Sequence, residues 1–243
     1  MKEFLALLLL VPALAGASGA TTPLDRAPVN SHDKASLQRG AQIFVNHCLN
    51  CHGAAAMRYS RLTDIGLSEP QIRDNLLLAG EKIGESMSAS MDPKIAKAAF
   101  GIVPPDLSLA ARSRSPDWLY TYLRSFYRDP ASKSGWNNTL FPNVAMPHAL
   151  WEYQGVQALQ VTERQDPNSG DIKHSSKLVL ERPGKLTAVQ YDQYVGDLVN
   201  YLAYMGEPGQ GGRKQWGVLV LFFLVGFLGL AMLLKNEYWK DVR

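Results

Sequence analysis

The sequence lacks several features that mark common classes of protein. It has two cysteines among 243 residues, which excludes a four-cysteine metal site, and the histidines other than His52 are scattered rather than set at metal-ligand spacing. It has no internal repeat and no glycine-rich phosphate loop. The net charge of +3 comes from residues that flank and follow an apolar run near the C-terminus. The rest of the chain is close to neutral, so we do not expect nucleic acid as a partner.

Both cysteines lie in one pentapeptide, Cys48-Leu49-Asn50-Cys51-His52. Two thiols at this spacing can form thioethers to both vinyl groups of one haem, while the imidazole that follows binds its iron. A thioredoxin-like redox pair is an alternative, but its cysteines open a helix, whereas here a helical pattern runs into the motif from its N-terminal side. The pentapeptide therefore predicts one covalently bound haem c, with no thiol left for a disulfide.

Two apolar segments predict how the chain meets a membrane. Residues 1–20 combine a short charged start, an apolar run and small residues, as a secretory signal peptide does. Residues 216–234 carry no charge and, at about 1.5 Å per residue, can span a hydrocarbon core of about 30 Å. Glycines and charges in 207–215 predict a linker before the span, and 235–243 a short tail.

Export by the signal peptide sets the expected orientation. We predict that residues 21–206 form a haem domain in the periplasm, anchored in the lipid of the bacterial inner membrane by the single C-terminal span, with the tail in the cytoplasm. The charges that flank the span are nearly balanced, so they give little information on its orientation in the membrane.

Helix signals dominate residues 21–206. The predicted helices are residues 36–46, which lead into the haem motif; a segment capped by Ser68 with Gly80 as its stop; 92–101; a segment opened by Ser115 whose apolar stripe includes Phe126; and 187–205. Residues 156–161 and 177–180 are predicted to pair as a small hairpin around a polar loop. The expected fold is mainly α, a cytochrome c-like haem domain with loops and a small β-hairpin, plus one C-terminal transmembrane helix.

A haem that only carries electrons needs a second axial ligand on the face opposite His52, and methionine raises the potential relative to a second histidine. Met57 follows His52 too closely to reach that face. Met205 lies on the apolar stripe of the last predicted haem-domain helix, where packing is the simpler role. The methionines that remain are Met87, Met91 and Met146.

Met146 has the most suggestive setting of the three. It lies in a proline-flanked segment, and Pro147 disfavours helical geometry at Met146, so a stiff extended loop would present the thioether. His148 is the alternative ligand, although a single loop histidine is more often solvated. For the haem propionates the candidates are Arg112 and Arg114, because a guanidinium binds a carboxylate through two hydrogen bonds; a solvated face is the competing interpretation.

Several segments together resemble the cytochrome c1 family, the haem subunit of the quinol–cytochrome c reductase (bc1) complex, in its bacterial type. The similarity covers nearly the whole mature chain in the family's order. The matching segments are Cys48 to His52 with Tyr59 and Leu62, residues 101–108 (GIVPPDLS) with Arg112 and Arg114, the Met146-Pro147 loop, and residues 201–208 (YLAYMGEP) ahead of the C-terminal anchor.

The resemblance implies a role for each residue that matches the family's motifs. It implies Cys48 and Cys51 as thioether sites, His52 and Met146 as axial ligands, an arginine at the position of Arg114 near a propionate, and Pro105 packed against the haem. It also implies a complex with cytochrome b and the Rieske iron–sulfur protein, dimeric as a whole, in which this subunit accepts an electron from the Rieske protein and passes it to a cytochrome c. On its own such a polypeptide is not a catalyst.

Two other functions stay open at the level of sequence. One is a membrane-tethered cytochrome c that delivers electrons to a terminal oxidase or reductase. The other is a haem peroxidase with an open distal site, against which the single haem motif argues.

Overall fold

The computed structural model describes residues 23–165 and 172–241, so the predicted signal peptide lies outside the described residues. Within them the helices are α1 (Lys34–His47), α2 (Glu69–Asn75), α3 (Pro93–Phe100), α4 (Ala110–Arg114), α5 (Pro116–Arg124), α6 (Trp151–Gln154), α7 (Ala188–Gly206) and α8 (Gln210–Tyr238), with a 3₁₀ helix at Tyr59–Ile65. The mainly α prediction is confirmed.

The strands form three separate antiparallel pairs. The pairs are β1 (Ala54–Arg58) with β2 (Ser86–Met87), β3 (Phe126–Arg128) with β4 (Trp136–Asn138), and β5 (Gly155–Gln165) with β6 (Ile172–Pro183). The sequence predicted only the third pair. The strands of the first two pairs are two to five residues long, too short to leave a recognisable alternating pattern.

The first and last helices of the haem domain, α1 and α7, cross closely. A Cβ atom added at Gly40 would lie 2.1 Å from the carbonyl oxygen of Asp197 and 2.6 Å from Cβ of Tyr201, so only glycine permits this approach. Beside the crossing, Arg39 binds the Asp197 carboxylate through Nε at 2.6 Å and Nη2 at 3.0 Å. Phe44 packs against Tyr201 with the ring centroids 5.7 Å apart. The helix that ends at the haem motif is therefore held by the C-terminal helix of the domain.

Helix ends follow the predicted capping residues in most places. Thr187 and Gln190 form the capping box of α7, and Asp92 caps α3, which ends at Gly101 in a left-handed conformation with φ of 80°. Ser68 and Gln71 form the capping box of α2.

Two details of the predicted helices are wrong. Helix α2 ends at Asn75 rather than at Gly80, because the backbone N–H groups of Leu76 and Leu77 both turn back to the carbonyl of Ile72 and bury Leu76. Phe126 is not in a helix: α5 ends at Arg124, and Phe126 begins β3, where it is fully buried. In both cases an apolar residue that fits the apolar face of the predicted helix is buried in the core outside that helix.

The predicted hairpin is present and longer than expected. Val156 pairs with Arg182, and after a register shift the pairing continues from Gln157 opposite Leu180 to Gln165 opposite Ile172. The strands therefore extend into the segment that composition suggested was a loop. At the base of the hairpin, the Gln157 side chain donates to the carbonyls of Arg124 and Phe126 and so ties the hairpin to the end of α5.

Helix α8 corrects the linker prediction for residues 207–215. The helix begins at Gln210 and is continuous to Tyr238, so most of the expected linker is helical. Each glycine in a helix costs about 1 kcal/mol relative to alanine, a cost that a long apolar helix can absorb. Within α8, Trp216–Tyr238 is long and apolar enough to cross a membrane, and its apolar window has no residue buried against the rest of the protein.

Candidate haem site

A tight turn at the end of α1 brings the two thiols and His52 together. The backbone N–H groups of Cys51 and His52 both donate to the carbonyl of Cys48, at 3.0 and 2.8 Å. The N–H of Cys48 itself still bonds to Phe44 in α1. The turn is thus a direct continuation of the helix, and its position is set by the crossing of α1 with α7.

The motif lies against a mostly apolar, partly open cleft. Three stretches far apart in the sequence line it: the end of α1 with the motif, the segment after α3, and the loop before α6. The lining residues are His47, Cys48, Cys51, His52, Phe100, Ile102, Pro104, Pro105, Met146, Pro147 and Ala149. The fold therefore brings together five of the residues that the sequence selected, namely Cys48, Cys51, His52, Pro105 and Met146.

A hydrogen bond to Pro105 fixes the tautomer of His52. Its Nδ1 lies 2.7 Å from the carbonyl oxygen of Pro105, which can only accept, so Nδ1 carries the proton. The other ring nitrogen, Nε2, has no hydrogen-bond partner in the described part of the chain and keeps a free lone pair. Burial lowers the pKa of His52, although the bond to Pro105 and the charge of Asp106 oppose this. A neutral imidazole with a free Nε2 is the form that binds a metal.

The segment that carries Pro105 is itself clamped to β1. Asp106 accepts hydrogen bonds from the backbone N–H of Ala55 at 2.7 Å and of Ser108 at 2.8 Å, and the Ser108 hydroxyl accepts from Ala56. Partial burial alone would raise the pKa of Asp106, but its hydrogen bonds, together with the neighbouring His52, lower it. Sequence reasoning did not assign roles to Asp106 and Ser108, although an aspartate two residues before a serine is a recognisable turn signal.

Met146 is the methionine that lines the cleft together with His52. Its Sδ accepts a hydrogen bond from the Tyr122 hydroxyl at 3.5 Å. The other methionines considered as ligands do not line the cleft. Met87 is fully buried in β2 and accepts a hydrogen bond from Tyr201, and Met57 and Met205 are buried in the core.

His148, the alternative ligand, has a different role from the one expected. It is buried rather than solvated, and its ring stacks on Phe126 with the centroids 4.9 Å apart. Its Nε2 lies 2.6 Å from Oε1 of Gln154. Burial lowers the pKa of His148 to about 4, so it is a neutral core residue, and it is not among the cleft-lining residues.

The two arginines proposed for the propionates do not line the cleft. The Arg112 side chain packs beside Gly206 at the end of α7, and the Arg114 guanidinium lies 5.2 Å from the centroid of the Trp118 ring. Their contact with a propionate stays a prediction.

The chemistry of the donors fits a covalent haem better than a zinc ion. Burial raises the pKa of Cys48 to about 12 and also raises that of Cys51, and a structural zinc site would need a fourth ligand beside these two sulfurs and His52. Among the described residues no group of three or more histidine, cysteine or acidic side chains could hold a metal ion. Two neutral thiols, one imidazole and one thioether around an apolar cleft match the needs of a flat apolar cofactor with an iron centre.

Sequence reasoning missed part of the cleft wall. Phe100 and Ile102 flank Gly101 at the end of α3 and line the cleft, and Ile102 is 56% exposed. An apolar pair around a helix-ending glycine was the available signal, but nothing in the sequence says that it faces the haem motif.

Comparison with known families gives a match along most of the chain. The sequence profile described as "Cytochrome C1 family" matches residues 25–166 and 184–242. The unmatched stretch between the two matched parts contains the whole of β6.

Individual proteins are similar over nearly the full length. A protein of Nitrosomonas europaea named "Ammonia monooxygenase gamma subunit" is 50% identical over 242 residues, covering 100% of this chain and 98% of its own. Cytochrome c1 of Allochromatium vinosum is 46% identical, covering 97% of this chain and 96% of its own. Cytochrome c1 of Rhodospirillum rubrum is 28% identical, covering 87% and 84%.

Proposed function

Because this chain belongs to the cytochrome c1 family, we propose that Cys48 and Cys51 would hold one haem c through thioether bonds and that His52 and Met146 would supply the ligands to its iron. The observation that carries this proposal is that all four side chains line one apolar cleft although 98 positions separate Cys48 from Met146. The two cysteines of the sequence thus lie in the same cleft as a histidine with an unprotonated Nε2 and a methionine, a grouping that chance does not readily explain.

Membership of the family establishes the general activity. The chain is an electron-transfer protein with a covalent haem c, the haem subunit of the quinol–cytochrome c reductase (bc1) complex that also contains cytochrome b and the Rieske protein. One of its helices could anchor it in a membrane, as in its relatives.

The residues of the cleft serve electron transfer by holding the site rigid. Haem, when bound, supplies an iron that takes up and releases one electron. The bond from His52 Nδ1 to Pro105 keeps Nε2 unprotonated, so the imidazole does not have to lose a proton before it binds iron. Pro104, Pro105 and Pro147 make the walls stiff and apolar, which would keep the rearrangement on electron transfer small.

The location of the domain and its finer contacts belong to the same proposal. We place residues 21–206 in the periplasm, exported by a signal peptide at 1–20 and held at the inner membrane by the span within α8. The Rieske protein would reduce this domain, a cytochrome c would oxidise it, and the complex would be a dimer. The resemblance to the family and the exposed apolar surface of α8, which suits lipid, support this arrangement.

Substitution of Met146 tests the proposed ligand set. Met146→Leu keeps the apolar volume but removes the sulfur, so we expect loss of the near-infrared methionine-to-iron band. We also expect a lower midpoint potential, because a stronger oxygen or nitrogen donor would take the place of the thioether. Met91→Leu is the matched control, since Met91 is also a loop methionine but does not line the cleft. Survival of the band in Met146→Leu would show that another residue binds the iron.

The name of the Nitrosomonas europaea relative raises a second candidate function, that of a subunit of an ammonia monooxygenase. Purification of the intact protein in mild detergent, with identification of what accompanies it, separates the two. We expect a cytochrome b and a Rieske protein. Recovery with monooxygenase subunits, or with subunits of a terminal oxidase, would contradict the bc1 assignment.

A further inference from the structure

A hydrogen bond reaches Met146 from behind the cleft. The hydroxyl of Tyr122 donates to Met146 Sδ at 3.5 Å, and no other described residue donates to this sulfur. Tyr122 is 8% exposed and is not among the residues that line the cleft. A thioether sulfur has two lone pairs, so a donor on one of them leaves the other free for a metal.

The Tyr122 ring is held firmly in place. It stacks on Trp118 with the centroids 4.8 Å apart and an interplanar angle of 11°, and it meets Phe126 edge to face at 5.1 Å. Its backbone carbonyl accepts a hydrogen bond from the Asn138 side chain at 2.8 Å. Because little rotamer freedom remains, the hydroxyl is placed against the sulfur without a large further loss of entropy.

We infer that Tyr122 is a positioning residue for Met146, whose hydroxyl orients the thioether and draws electron density from its sulfur, and so raises the midpoint potential of the protein. This inference rests on the proposed function, since it requires Met146 to bind the haem iron. It assigns a role to a residue outside the cleft that neither the haem motif nor the methionine loop contains.

The direction of the effect follows from how a thioether stabilises iron. An electron-poor oxidised iron gains more from sulfur donation than a reduced iron does, so a weaker donor favours the reduced state. A hydrogen bond into the sulfur makes it a weaker donor. Removal of the hydroxyl should therefore lower the potential.

The variant Tyr122→Phe removes the hydroxyl and keeps the ring and its stacking. In the full-length, haem-loaded protein we expect the near-infrared band to remain but shift, and the ratio of oxidised to reduced protein at a fixed applied potential to rise about two- to tenfold, where tenfold corresponds to about 59 mV for one electron. Redox titration and near-infrared absorption measure both quantities.

The chain offers a closely matched control in Tyr201→Phe. The Tyr201 hydroxyl also donates to a methionine sulfur, Met87 Sδ at 3.6 Å, and both residues are buried, but Met87 does not line the cleft. Tyr201→Phe should leave the potential and the band as in the parent. An equal fall in both variants would show a general effect of losing a buried hydroxyl and would overturn the inference.

A second substitution covers the case in which Tyr122→Phe does not fold. Incorporation of 3-fluorotyrosine at position 122 alone preserves the size and stacking of the ring but makes the hydroxyl a stronger donor, so the potential should rise. A potential equal to that of the parent would overturn the inference.

The failure of this inference and that of the proposed ligand are distinguishable. If Met146→Leu keeps the methionine band, the ligand assignment is wrong and the role of Tyr122 falls with it. If Met146→Leu loses the band while Tyr122→Phe has the potential of the parent, only the role of Tyr122 is overturned.

Discussion

At the scale of single residues, the geometry around His52 depends on a carboxylate that does not touch it. Asp106 anchors the segment that carries Pro105 by accepting the N–H groups of Ala55 and Ser108, and Pro105 in turn accepts from His52 Nδ1. The imidazole is therefore oriented by a chain of bonds that starts at β1. This arrangement explains why a proline next to an aspartate follows the haem motif at such a distance in sequence.

Removal of the Asp106 carboxylate should loosen this anchor. We expect Asp106→Ala to lower the free energy of unfolding by about 1 kcal/mol, because the backbone groups of Ala55 and Ser108 lose their acceptor, and to broaden the spectrum of the haem-loaded protein. Denaturant unfolding followed by haem absorbance measures both. Asp129→Ala is the control, since Asp129 accepts a backbone N–H from Ala131 in a turn outside the cleft.

The pH dependence of this difference has a defined sign. Because the folded state lowers the pKa of Asp106 below its ordinary value of 3.8, the ionised group stabilises the fold fully above that pH and progressively less as the pH falls through the lowered pKa. The gap between parent and Asp106→Ala should thus be constant from neutral pH to about pH 4–5 and shrink below that. A gap that grows on acidification would contradict the role of the ionised carboxylate.

At the scale of secondary-structure elements, the crossing of α1 and α7 positions the haem motif. Gly40 lets the two backbones approach closely. Beside the crossing, Arg39 and Asp197 form an ion pair with two hydrogen bonds. Arg39 is half exposed, so solvent screens that pair and the packing at Gly40 dominates.

A methyl group at the crossing should separate the helices. Gly40→Ala would place Cβ 2.1 Å from the Asp197 carbonyl, so we expect a loss of about 1–3 kcal/mol in stability despite the better helix propensity of alanine. Thermal unfolding of the haem-loaded protein measures it. Gly212→Ala, in a helix with open space around the added Cβ, should cause no loss; equal stability of both variants would show that the crossing is not tight.

At the scale of the whole molecule, the haem domain and α8 are nearly independent. The core consists of residues of the haem domain, and every position in the apolar window of α8 is exposed. Polar contacts at their junction include an ion pair between Arg213 and Glu207 and a hydrogen bond from the Gln210 side chain to Glu207. The apolar core of the haem domain is therefore buried without any contribution from α8.

Removal of the anchor tests this independence. A chain cut after Gly209 should leave the membrane fraction while it keeps covalent haem, the methionine band and the potential of the full chain, because no cleft residue lies beyond that point. Fractionation and redox titration provide the comparison with the full chain. Loss of the band would show that α8 supports the cleft, and retention in the membrane would show a second anchor.

The residues that we propose for the chemistry could be identified from the sequence because their signals are local. The spacing of Cys48, Cys51 and His52 is a consequence of thioether geometry within five residues, the capping box of Thr187 and Gln190 lies within one helical turn, and the proline after Met146 restricts its own neighbour. The length and apolar composition of α8 are enough to predict that it can span a membrane. None of these inferences needs knowledge of what lies across the fold.

Only the tertiary structure decided which distant groups meet. It placed Met146, and neither Met87 nor Met91, in the cleft and buried His148 against Phe126. It also made most of the expected linker helical and brought the Tyr122 hydroxyl to the Met146 sulfur. These outcomes depend on which side chains compete for a shared core, and that competition is a property of the packed chain rather than of any short stretch of it.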